Sequence, residues 1–496
     1  MTDTDLQRVL SIYRDNLPPG DLQSFRIDPN DRLGVPVVDA TFVPDHNPRR
    51  YNGVGYGATE VKAQLSAFGE LYEYMAIPEA FRQLPIREAS YQQMVKQEGI
   101  EQVIDPLTLV LPAGSPYTAD TPLRWTEVRR LADDAPAWVP SEFVTNSDSD
   151  VAYPTQLTTA LTNGDGTGDT RERAVLHGLL ELLQRDGNCD SFRALDQGRA
   201  IDSAGIAPRT RELMNHLEDR GLRVIPKLAR ETCGCVSVYA VGRDQSDDPF
   251  PLSVTACGEA ADPDFDQAMH KAVLECASSH SRKLFYHSSF ERKGKITPKG
   301  YVERNRALIN LDKEEARSLR SMVHWLSLSR EELYQRLSDT VFAEREVVSS
   351  ESFPRFASNI IAERLQRVRQ GIANEGMDIY YFAALPADSP VQVTKVVVPG
   401  IEMELGSYHR LGARGVRRLL ERDDELISRT AGEGKRRVRL TAEQEETLGG
   451  QFWLDTQRLD ETIDPVYSLY REPSGHAAAY AYETGYFAST AAPSAS

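Results

Sequence analysis

The chain has 496 residues, with 57 Lys and Arg against 74 Asp and Glu, a formal net charge of −17 at pH 7. An apolar content of 40% and a charged content of 26% exclude a disordered chain, and the length allows a core that needs no disulfides. At about 150 residues per domain it fits two or three domains or one large one. The acidity excludes a general nucleic-acid binder, but not a site where carboxylate-held Mg²⁺ bridges to nucleotide phosphates.

In chain order, the apolar spacing from Leu6 to Leu17 predicts an amphipathic helix, followed by a strand at 32–42. The mixed, charged start argues against a secretory signal, and no run approaches about 20 apolar residues, so no membrane span is expected. Residues 51–150 hold a Gly-rich turn, a helix and a Pro-rich connector; 151–200 repeat the turn and helix. Strands are expected within 222–257 and 377–400, a helix over 264–285, and charged helices through 296–375 around an apolar anchor, Met322 to Leu326. The five cysteines, Cys189, Cys233, Cys235, Cys257 and Cys276, are sparse and odd in number, which indicates reduced thiols and a cytoplasmic protein. Cys233-Gly234-Cys235 has no second pair or nearby histidines to complete a zinc site, and a turn between strands is expected there. Between His409 and Leu440 ten Lys and Arg face five Asp and Glu. That stretch reads as a solvated helix and linker, or as a patch for phosphate or an acidic peptide. The last residues, 488–496, are low in complexity and expected to be disordered.

An internal repeat stands out. Residues 52–74 and 163–185 align without a gap at an offset of 111, with nine of 23 positions identical, among them Gly53/Gly164, Gly55/Gly166, Thr59/Thr170 and Glu70/Glu181. Each copy is a Gly-rich turn leading into a helix, with Thr59 and Thr170 placed as N-caps. Ser66, Glu70 and Glu73 share one helix face; His177, Glu181 and Gln184 occupy the same positions in the second copy. Around residue 275, Glu275, Ser278 and Arg282 show related spacing, with Lys271 one turn earlier. Clustered oxygen ligands of this kind suit Mg²⁺ carrying nucleotide phosphates. A P-loop, HExxH, GxSxG and DxDxDG are all missing, and GVGYGA at 53–58 follows no buried strand that would make it a dinucleotide fingerprint.

These segments, GVGYGATEVKAQLSAFGELYEY, LTNGDGTGDTRERAVLHGLLELLQRDG, HKAVLECASSHSRKL and VTKVVVPGIE, resemble in kind and order the motifs of the YcaO family over roughly residues 30–405. The resemblance implies an α/β (α+β) fold of two pseudo-symmetric halves with the nucleotide between them, a domain over 1–405, and a C-terminal extension over 406–496. It implies ATP and Mg²⁺ as cofactors and activation of a peptide backbone amide. A Cys, Ser or Thr side chain would then give an azoline, an amine a macroamidine, and a sulfur donor a thioamide. Carried over by position are Ser66, Glu70, Glu73, Asn163, Glu181 and Glu275; with His177, Gln184 and Arg282 from the same helix faces they make up the expected ATP-binding set, with Glu70, Glu73, Glu181 and Gln184 on the metal. The Gly-rich turns Gly53–Gly57 and Gly164–Gly168 are expected to let backbone amides approach the ligand. Arg185 and Asp186 are expected to be structural. The chain departs from the family pattern at Asp169, Arg173, Gln184, Ser278 and His280, and in lacking a Pro-x-Pro-x-Pro ending. A non-catalytic scaffold or accessory subunit is therefore the alternative. About 50 residues precede the first motif, too few for a leader-binding module, so a ribosomal precursor peptide and a separate partner protein are expected, with no nucleic acid or membrane partner and a homodimer as a possible assembly.

Overall fold

The computed structural model describes residues 3–487; the expected disordered tail at 488–496 lies outside them. Helix α1 (Asp3–Asp15) forms as its apolar spacing predicts, and buries Val9, Leu10 and Tyr13. The single strand expected at 32–42 is instead a hairpin-like pair, β1 (Gly20–Arg26) and β2 (Val37–Pro44). Gly34, at φ +71°, and Pro36 keep residues 32–36 out of the ladder. β3 (Tyr51–Tyr56) completes this antiparallel sheet in the order β1-β2-β3 and runs into the long α2 (Glu60–Phe81).

A second sheet begins with β4 (Arg87–Ser90), separated by α3 (Tyr91–Glu98) from β5 (Pro122–Arg130), β6 (Pro136–Pro140) and β7 (Asp165–Gly168). β7 runs into α4 (Arg171–Asn188). A third sheet contains β8 (Arg199–Ile201), then, after α5 (Pro208–Glu218), β9 (Leu222–Thr232), β10 (Cys235–Asp244) and β11 (Thr255–Asp262), which runs into α6 (Phe265–His287). Cys233 and Gly234, at φ +51° and +71°, make the tight β9–β10 turn that the sequence predicts. The charged stretch is helical in pieces: α7 (Phe290–Gly294), α8 (Tyr301–Leu308), α9 (Ala316–Leu326), α10 (Arg330–Ser338) and, after β12 (Glu346–Val348), α11 (Ile361–Asn374). β13 (Tyr380–Ala383) and β14 (Gln392–Val397) then enter the second sheet, giving the order β4-β5-β13-β14-β7 with β6 beside β5; the third sheet runs β11-β10-β9-β8-β12.

α4 lies between these two larger sheets. One side touches β7 and β14, the other β9, β10 and β11. Small residues permit both contacts: a Cβ on Gly178 would fall 2.4 Å from Gly164 O, and one on Gly187 2.3 Å from Ser237 Cβ.

The basic stretch after Gly400 is not a solvated linker. α12 (Ala413–Glu421) and its C-cap residue turn three arginines inward. Arg418 Nη2 meets Asp186 at 2.6 Å, Arg414 Nη2 meets the same carboxylate at 3.0 Å, and Arg422 Nη1 meets Asp190 at 2.6 Å. Arg410 is buried and donates to the carbonyls of Leu109 and Val110. The excess positive charge neutralises carboxylates at the end of α4. Beyond it, Phe452, Leu454, Leu459 and Ile463 share one apolar core with Trp325, Leu333, Tyr239 and Phe192.

Candidate functional site

The chain builds the same strand-to-helix unit three times. β3–α2, β7–α4 and β11–α6 align residue for residue, with N-caps Thr59, Thr170 and Asp264 accepting from Lys62 N, Arg173 N and Asp266 N. The Gly-rich runs expected to be turns are strands. Their glycines serve close helix packing, where ligand approach was expected: a Cβ on Gly53 would lie 2.2 Å from Ala67 O, on Gly166 2.1 Å from Ala174 O, and on Gly258 2.1 Å from Ala272 O. Seventeen residues after Gly53, Gly164 and Gly258 come Glu70, Glu181 and Glu275. One turn before them stand Ser66, His177 and Lys271; three residues after them, Glu73, Gln184 and Ser278. The third copy escapes sequence comparison because it keeps little beyond the glycine and the glutamate, and replaces the Thr cap with Asp.

The three helices deliver these side chains to one cavity of about 550 Å³. Eight of the nine residues expected to bind nucleotide line it: Ser66, Glu70, Glu73, His177, Glu181, Gln184, Glu275 and Arg282. Asn163 does not. Its amide lies 3.3 Å from Met403 Sδ and lines an adjoining cleft that shares Arg185 with this cavity; the positive φ at Gly164 turns the chain there as it enters β7.

Backbone and side-chain donors fix the carboxylates. Val54 N donates to Glu70 at 2.6 Å, Gly164 N to Glu181 at 3.1 Å, and the Tyr56 hydroxyl to Glu275 at 2.8 Å. Glu73 has no such support: its buried Oε1 has no hydrogen-bond partner, and the nearest cation-capable group is His177 Nδ1 at 3.6 Å. Burial, followed by repulsion from Asp165, Glu181 and Glu70, holds the Glu73 carboxyl well above the usual range. Burial also raises Glu70, against the pull of Arg282, and raises Glu275, against that of Lys271. Desolvation in the cavity and then Lys271 lower His177, whose side chain is still half exposed.

Among the described residues no group of three or more His, Cys, Asp or Glu side chains forms a ready-made metal cage. Mg²⁺ does not need one, since it keeps several waters and binds one or two carboxylates together with phosphates. Glu73's orphaned oxygen and the mutual repulsion of its neighbours are the features that such a cation relieves, and the residues fit it. Lys271, Arg185 and Arg282 line the same space as candidates for phosphate oxygens.

Asp165 was not picked out from the sequence, and Arg185 was expected to be structural. Asp165 takes the place of Val54 in the repeat. It bonds Lys395 Nζ and Asn146 Nδ2, each at 2.8 Å, and burial pushes it up to about 6. Arg185 is a wall of the site, 3.4 Å from Glu259 and 3.7 Å from Glu181. The departures from the family pattern also find their places. Asp169 and Arg173 form an ion pair at 2.7 Å, so the two changes compensate each other. His280 is buried between Asp31 at 2.7 Å and Asp244 at 3.0 Å and ties the N-terminal segment to the third sheet.

Comparison with known proteins gives the family and the fold. Residues 54–402 match the family model described as YcaO cyclodehydratase, ATP- and Mg²⁺-binding. An uncharacterised protein of Methanothermobacter thermautotrophicus is 24% identical over 388 residues, covering 77% of this chain and 90% of the relative. The YcaO protein of Methanopyrus kandleri, solved with AMPPCP and Mg²⁺, superposes with a TM-score of 0.56 at 19% identity, covering 83% of this chain and 93% of that one. A heterocyclase solved with substrate and cofactor gives 0.59 at 16% identity, over 82% of this chain and 53% of that one. Fold and family match together define an ATP-dependent enzyme whose cofactors are ATP and Mg²⁺. The chain belongs to the YcaO family.

Proposed function

We propose that the protein activates a backbone amide of a ribosomally made peptide at the expense of ATP, in azoline or macroamidine formation. The observation that carries this reading is the convergence of Glu70, Glu181 and Glu275 from three equivalent helices, with the unsatisfied Glu73 beside them, in a cavity of about 550 Å³. ATP, when bound, supplies the phosphoryl group that turns an amide oxygen into a leaving group. Glu70, Glu73 and Glu181 would hold Mg²⁺, with Gln184 as a neutral ligand. Ser66, His177, Glu275 and Arg282 would meet ribose or phosphate. Asn163 drops out of that set on its placement. The protein's own work is positioning and charge neutralisation: Val54 N and Gly164 N keep two carboxylates aimed inward, and Arg282 offsets anionic charge beside Glu70. The peptide would be delivered by a separate leader-binding partner.

Mass spectrometry of a Cys/Ser/Thr-rich peptide encoded beside the gene, incubated with protein, partner and Mg·ATP, tests the reading. Loss of one water with phosphate release supports it, and Glu181→Gln abolishes both. Sulfur replacing oxygen, with sulfide supplied, assigns thioamide formation instead. Absence of both nucleotide hydrolysis and any mass change rejects catalysis and favours the scaffold role.

A further inference from the structure

A second cavity, of about 560 Å³, opens beside the first and shares Val54, Glu70, Tyr74 and Arg282 with it. Arg49, Arg50 and Arg282 all line it. Most arginines in the interior of this acidic chain are neutralised, as Arg414, Arg418 and Arg422 show. Arg49 and Arg50 are not. Arg49 donates to the hydroxyls of Ser147 and Ser149, and Arg50 to the Asn305 amide oxygen and the Thr41 hydroxyl; among the described residues neither forms a salt bridge. Asp39, the carboxylate behind Arg50, is buried and taken up by Tyr286 and Asn52. Glu472, from the C-terminal segment, also lines the cleft and sits 3.3 Å from the buried His287. The cleft thus carries two arginines without a carboxylate partner and one carboxylate, Glu472, held by a histidine.

We propose that this second cavity receives the acceptor peptide and selects one with an acidic side chain near the amide to be activated. The carboxylate lies against Arg49 and Arg50, and the amide reaches the junction at Glu70 and Arg282. This rests on the peptide-activating reading above and adds the class of peptide. Two guanidinium forks suit a carboxylate, and Glu472 repels one placed on its own side.

Fluorescein-labelled decapeptides with one Cys and flanking Glu, Gln or Lys residues, titrated by anisotropy without nucleotide, read the preference directly. A non-hydrolysable ATP analogue with Mg²⁺, titrated by calorimetry, reads the first cavity separately. The Glu peptide is expected to bind about tenfold more tightly than the Gln peptide at low salt, with the gap closing as salt rises. The double variant R49Q/R50Q should erase the gap and leave analogue affinity unchanged, and Arg49→Glu should turn the preference towards the Lys peptide, a gain that misfolding cannot mimic. Equal binding of Glu and Gln peptides, or a preference surviving in R49Q/R50Q, overturns the proposal. So does a fall in analogue affinity in that variant, which would assign the arginines to nucleotide phosphate. A wild-type protein that binds no analogue rejects the ATP reading alone, since the peptide preference is measured without nucleotide.

Discussion

Glu73 is a buried carboxylate of the cavity with one oxygen left without a hydrogen-bond partner. Its carboxyl is raised above 4.5 in the folded state, so the stability linked to its protonated form is complete below that value and is lost as pH rises through the raised folded-state value. Asp165 adds a loss between 3.8 and about 6. Without ligand, the melting temperature should therefore fall from about pH 4 towards neutrality. Glu73→Gln keeps the shape and removes the charge: at pH 7 it should stabilise the ligand-free protein by about 1 kcal/mol, flatten the pH profile and weaken Mg²⁺ binding, as read by thermal denaturation with and without Mg²⁺. At this scale much was legible. The shared face of Ser66, Glu70 and Glu73 and its echo in His177, Glu181 and Gln184 follow from helical spacing. Asn163 was misplaced because spacing cannot show a positive φ at the next residue, and Asp165 was overlooked because its counterpart in the repeat is an apolar valine.

The strand-to-helix unit depends on backbone contact. A Cβ on Gly55 would lie 2.0 Å from Ala67 N and 2.2 Å from Ala63 O, both backbone atoms that cannot yield. Gly55→Ala should cost more than about 2 kcal/mol in urea unfolding and displace Glu70, abolishing analogue binding. Gly69→Ala is the contrast: its nearest neighbour would be Thr167 Cβ at 3.9 Å, within helix α2, and the protein should gain up to about 1 kcal/mol. The sequence pattern placed α1, α2, α4 and α6 correctly because their apolar periodicity and caps are local. It mistook β3 and β7 for turns because glycine signals both a turn and a close approach, and only the partner helix decides between them.

Across the molecule, the segment after residue 405 is built into the core. Asp186 binds Arg414 and Arg418 while accepting from Glu402 N, and the two arginines tie α4 to the C-terminal segment. Asp186→Ala leaves the buried Arg418 with only Asp190, at 4.0 Å, and takes one of two carboxylates from Arg414, and should destabilise by about 3 kcal/mol in chemical denaturation. Truncation after residue 405 should leave Trp325, Tyr239 and Phe192 without Phe452, Leu454 and Leu459, and yield insoluble protein. Composition alone could not show this, since a run of arginines has the same sequence signature whether it faces water or a set of buried acids.

The three-fold unit, finally, has a polarity. α2 contributes two carboxylates at matched positions, α4 one carboxylate and one amide, and α6 one carboxylate with Lys271 a turn before it. Identical scaffolds carrying graded charge set up a field across the cavity from the α2 wall to the α6 wall. A ligand with a cationic and an anionic end can lie along that gradient in one sense only. The repeated unit thus lines the cavity, and the differences among its three forms give it a head and a tail.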